Sequence, residues 1–151
     1  MRLNAIAKLV RDRPRSAAAL AFGLSTAALV HFSWYPDART SGIAPALSVG
    51  AGVAHALAGT LTGPRLVHSA RGSILRSAPL LGAITSLVAL ALFTAAFTAY
   101  IVANDHSQNT PLGYALLGVY TGFFAFLAAG WSLLLLSMGV AWGLNRIARS
   151  S

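Results

Sequence analysis

Four long apolar stretches separated by short polar connections dominate the pattern of this chain. They run from about Ser16 to Tyr35, Gly42 to Thr62, Ala78 to Ala103 and Tyr114 to Leu144, and none contains Asp, Glu, Lys or Arg. The hydrocarbon core of a bilayer is crossed by about 20 predominantly apolar residues in a helix. Inside it every backbone amide must be satisfied within its own segment, so these stretches are predicted to be helices; the alternation of a membrane barrel is absent. The expectation is an all-α integral membrane protein, a single transmembrane domain over residues 1–151 built as a four-transmembrane-helix bundle. The fourth stretch has 31 residues, or about 46 Å of helix against about 30 Å of hydrocarbon. It is therefore expected to tilt, kink or project beyond the bilayer.

Ahead of the first stretch, Leu3, Ile6, Ala7 and Val10 recur at helical spacing, with Asn4, Lys8 and Arg11 on another face. This pattern suits a short N-terminal helix lying in the membrane interface until Pro14 breaks it, or else a flexible basic arm. The connection Pro64 to Ser77 mixes Leu66, Val67, Ile74 and Leu75 with arginines and suits the same interface. A basic leader before an apolar run also begins a secretory signal peptide, but His31 to Pro36 offers no small-x-small cleavage site. The helix is expected to be retained, with Trp34 and Tyr35 as an interfacial anchor and Trp142 marking the inner interface.

Charge decides the orientation. Ten of the eleven basic residues (Arg2, Lys8, Arg11, Arg13, Arg15, Arg65, Arg71, Arg76, Arg146 and Arg149) fall on one side of the four-span arrangement. Arg39 falls on the other, accompanied by Asp37, with Asp105 in the second outer connection. Basic connections stay cytoplasmic, so both termini are expected there, in a plasma or inner membrane. A net charge of +8 confined to helix ends fits anionic lipid headgroups on the cytoplasmic side as partner. No basic, aromatic-interleaved surface for nucleic acid lies outside the spans. Only 9% of residues are charged and 56% are hydrophobic, where a soluble domain carries about 25% charged residues. The absence of cysteine excludes disulfide, thiolate-metal and thiol-redox chemistry.

Small and polar residues inside the spans are the remaining signal. Ser48, Gly52, His55, Gly59 and Thr62 share one face of the second span, and Gly59 and Gly63 form a GxxxG pair. Gly118, Gly122, Ala125, Ala129 and Ser132 share a face of the fourth, and Gly139 and Gly143 continue the small spacing toward the cytoplasm. Tyr120, Phe124, Leu127 and Trp131 form a bulky stripe on another side. Such faces let helices approach closely, within the chain or between copies.

His55 is the one ionisable group deep in the second span, where it is expected either to be a neutral, hydrogen-bonded packing residue or to serve a substrate, proton or cofactor site. His31 and His55 differ by about 12 Å along the bundle axis, too far to share one iron. Met138 is the alternative partner for His55, and a pigment needs only one imidazole. Ser48, His55, Thr62, Thr94 and Thr98 are the residues that would line a polar path. His68 and His106 fall in connections and are expected to be solvated. No nucleophile, base and orienting acid converge, so no enzyme is expected, and three Asp supply no metal site. The leading expectation is a noncatalytic scaffold or accessory subunit of a membrane complex, with homo-oligomerisation as one form of it. The alternatives are a small-solute or ion channel or transporter, and a haem-, pigment- or quinone-binding membrane protein of unspecified cofactor.

Overall fold

In the computed structural model, the described residues are 2–34, 43–68, 78–104 and 110–149. They form six α-helices and no strand: α1 (Arg2–Asp12), α2 (Pro14–Leu29), α3 (Ile43–His68), α4 (Ala78–Asn104), α5 (Pro111–Ala125) and α6 (Trp131–Arg149). A π-helical turn, Val30–Trp34, extends α2, and another, Phe126–Gly130, joins α5 to α6. Two stretches, Pro14–Phe32 and Ala78–Asn104, are long and apolar enough to cross a membrane. Residues 35–42, 69–77 and 105–109, with Tyr35, Arg39, Arg71, Arg76 and His106 among them, lie outside the described residues, as do the side chains of Trp34, His68, Phe124, Ala125 and Ala129.

Proline sets the first boundary. Arg13, held out of the helical region by the ring that follows it, separates α1 from α2, and Pro14 opens α2 at a position where its missing N–H costs nothing. Pro111 does the same for α5, whose first turn is capped by Thr110 Oγ1 accepting from the Gly113 N–H at 3.3 Å.

Pro64 behaves differently. The sequence reading ends the second span at Thr62 and starts a connection at Pro64, whereas α3 continues to His68. Two tertiary contacts hold the extra turn against the cost of an interior proline. Leu66 is buried in a cluster with Val10, Ala18, Phe22, Ala141 and Leu144. The Asn145 amide donates to the Leu66 carbonyl at 3.0 Å, satisfying one of the acceptors left over at the helix end.

Helices α2 and α3 are antiparallel neighbours, α4 packs on α3 and α6, and α5 packs chiefly on α4. The α1 helix turns Ala7 and Val10 inward against α6 and α2, leaving Ile6 and Leu9 exposed beside Lys8 and Arg11. The cluster containing Val10, Leu66 and Leu144 therefore joins the start of α2 with the ends of α3 and α6. Every described Lys and Arg lies at this end, and the Arg146 guanidinium stands 5.3 Å from the ring centroid of Trp142. The fourth apolar stretch is helical from Pro111 to Arg149, interrupted at Phe126–Gly130, where the Phe126 ring folds over Gly130. A π-turn adds a residue to the helical repeat and rotates the two halves relative to one another.

Candidate functional site

The predicted site residues divide between two helix seams and a buried polar level. On the α2–α3 seam the glycines meet backbone. A Cβ on Gly52 would lie 3.0 Å from both the Ala27 Cβ and the Gly23 carbonyl oxygen. One on Gly59 would lie 3.0 Å from the Ala18 carbonyl, and one on Gly63 would lie 2.6 Å from the Pro14 carbonyl. All three glycines are thus used within the chain. Gly82 on α4 does the same against α6, where its Cβ would strike Ser137 and come within 2.8 Å of the Met138 Cα. The sequence reading leaves Gly82 out, although Ala78, Gly82 and Ser86 recur every fourth residue and all three are buried.

On α4–α5 the glycines meet side chains instead. Gly118 faces Thr98, with a Cβ position 3.1 Å from its Oγ1, and Gly122 faces Thr94, with one 3.2 Å from its Cγ2. Both threonine hydroxyls are buried and have no hydrogen-bond partner. They line an open apolar groove of about 820 Å³ between α4 and α5, shared with Leu87, Tyr114 and Val119. A second groove, of about 830 Å³, lies between α3 and α4 over Leu47, Gly50, Val53 and the stacked pair Phe93 and Phe97. On α6, Gly139 and Gly143 have nothing within 4 Å of where a side chain would begin.

Ser48, His55 and Thr62 are buried on α3, away from both grooves. Thr62 and Thr85 join α3 to α4 through their hydroxyls at 2.8 Å, and the Thr85 hydroxyl is also 2.7 Å from the Leu81 carbonyl. Thr85 donates to Leu81, and the single Thr62 proton goes either to Thr85 or to the Ala58 carbonyl, which lies 3.2 Å from the Thr62 hydroxyl. His55 is 2% exposed. Its Nδ1 lies 3.2 Å from the Ala51 carbonyl, which accepts only from a protonated nitrogen. In the neutral ring Nε2 therefore carries the lone pair, and it is buried without a partner.

No protein-family model, curated protein or solved structure matches this chain.

His31 sits in the π-turn that extends α2, its ring edge-on to Phe32 at 5.0 Å. Ala27 abuts Gly52, so His31, one turn further, stands opposite Ser48 and about 10 Å of helix rise from His55. Met138 packs beside Gly82, which precedes Thr85 on α4. Thr85 pairs with Thr62, itself about 10 Å of rise from His55, so imidazole and thioether stand on different levels. Among the described residues no three His, Cys, Asp or Glu side chains gather in one place.

Proposed function

We propose that this chain is a four-span membrane protein with both termini on the cytoplasmic side, acting as a noncatalytic scaffold or accessory subunit of a larger membrane complex. The membrane reading is supported by where the apolar surface points. In the 18-residue apolar windows of Pro14–Phe32 and Ala78–Asn104 only 28% and 22% of residues are buried, whereas the core helix of a soluble protein turns most of its apolar surface inward. Leu20, Leu24, Leu57, Leu61, Leu80 and Leu87 all project outward. In water such a surface is an aggregation liability; in hydrocarbon it needs no partner. The gathering of the described basic residues at one end supports the orientation, with anionic headgroups facing that end.

The observation that carries the scaffold reading is the face of α6 at Gly139 and Gly143, where no described atom lies within 4 Å of either Cβ position; small residues at this spacing admit a second helix at close range in lipid, where apolar exposure alone calls for no partner. Leu112, Leu116, Val119, Tyr120, Phe123 and Leu127, also exposed, add a broad apolar face along α5 and the turn after it. Mild-detergent purification from the native membrane, followed by identification of co-purifying proteins, tests it. A stoichiometric partner or a second copy that is lost on Gly139→Leu, which meets no described atom of this chain, supports the scaffold; a chain that elutes alone and unchanged by that variant contradicts it.

A second reading, passage of a small solute, draws support from the unpartnered His55 nitrogen at the middle of the bundle. It predicts flux that His55→Ala abolishes without changing the assembly state.

A further inference from the structure

Thr26 on α2 is 1% exposed and its hydroxyl has no partner, the same condition as His55 Nε2 on α3. The seam contacts fix where the two residues stand. Ala27 abuts Gly52 and Gly23 abuts Ala56. Thr26, between Gly23 and Ala27, therefore shares a level with the stretch from Gly52 to Ala56, and His55 lies within that stretch. Helical side chains tilt toward the N-terminus of their own helix. In an antiparallel pair that tilt carries the imidazole toward the Ala51 end of α3, where it meets the Ala51 carbonyl, and carries the Thr26 side chain the opposite way. Two buried polar atoms with complementary abilities thus occupy one level: a lone pair that needs a donor, and a hydroxyl that can give or take a proton.

The buried hydroxyls without partners have a local resolution. Thr26, Thr94, Thr98 and Ser137 can each turn to donate to the carbonyl four residues back, as Ser25 and Thr85 do, and a hydroxyl that does so still accepts through its oxygen. An imidazole already engaged through Nδ1 has no such local acceptor or donor for Nε2. Orphaned polar atoms in a protein interior are rare because each forgoes its hydration without replacement. Buried water is the usual remedy, and it needs at least two polar partners.

We propose that Thr26 and His55 form a binding site for one structural water, which donates to His55 Nε2 and bonds Thr26 Oγ1, tying α2 to α3 through the middle of the bundle. This goes beyond the scaffold reading and does not depend on it. The site also accounts for a buried hydroxyl at Thr26, where Val would fill the same volume.

The test is a double-substitution cycle on the full chain in detergent, joined to nuclear magnetic resonance of protein carrying labelled histidine. Thr26→Val keeps the shape and removes the hydroxyl. It is expected to lower the melting temperature of the native chain by about 2–4 °C, the shift for one buried hydrogen bond, and to have no effect in a His55→Leu background. The His55 ring protons are expected to give a cross-peak at the water frequency that Thr26→Val removes. Three results overturn the proposal: a melting temperature that stays level or rises with Thr26→Val, equal losses in both backgrounds, or coupling between the two residues with no water cross-peak, which is the signature of a direct hydroxyl–imidazole bond. Should His55→Leu fail to fold, the cross-peak in native and Thr26→Val protein decides alone.

Discussion

The α2–α3 and α4–α5 seams are built with the same small residues and are different joints. At α2–α3, Gly52, Gly59 and Gly63 press against carbonyls and Cβ atoms of α2, so the two main chains set the distance between the helices. At α4–α5, Gly118 and Gly122 receive the side chains of Thr98 and Thr94, which rotate more readily than a backbone moves. The first joint is closed at each of these glycines. The second leaves an open groove on one side and the exposed apolar face from Leu112 to Leu127 on the other. Glycine spacing alone does not tell these joints apart; what stands opposite each glycine does. In the proposed membrane scaffold, a core fixed by backbone contact and a peripheral helix held by side chains would leave that helix free to adjust against a partner.

Substitution separates the two joints. Gly63→Leu gives the largest effect, because its Cβ would lie 2.6 Å from the Pro14 carbonyl and 2.8 Å from the Ala18 Cβ. Helices α2 and α3 must part, a loss of more than about 3 kcal/mol. In thermal or denaturant unfolding in detergent the variant is expected to be largely unfolded where the native chain is folded. Native stability would mean that the α2–α3 contact is not a backbone joint. Gly122→Ala gives the smallest effect. Its new methyl meets Thr94 Cγ2 at 3.2 Å, and the strain of moving one side chain is offset by the better helix propensity of alanine, leaving a net change within about 1 kcal/mol. A loss as large as that of Gly63→Leu would erase the distinction.

Much of the architecture is readable in the sequence because the relevant signals are local. The four apolar stretches are helical where their length and lack of charge predict helices, Pro14 ends the first helix, and the basic residues mark one end. The readings fall short where structure depends on a residue far along the chain. Helix α3 runs past Pro64 because Asn145, 79 residues away, holds the Leu66 carbonyl and because Leu66 is buried among residues of other helices. The π-turn at Phe126–Gly130 has no periodic signature. Thr62 stands out as polar within an apolar span, but nothing local names Thr85 as its partner. His55 was visible as an isolated ionisable residue; Thr26, its neighbour in level, was hidden among small residues because its significance lies in a missing hydrogen bond.

Because the chain contains no cysteine, single introduced thiols report topology without background. The most direct test of the four-span arrangement is labelling of Ser69→Cys, Ser107→Cys and Ser150→Cys in sealed cells with a membrane-impermeant maleimide. The account predicts that Ser107→Cys reacts from outside, while Ser69→Cys and Ser150→Cys react only after the membrane is opened. Labelling of Ser69→Cys or Ser150→Cys in intact cells, or protection of Ser107→Cys, would contradict it.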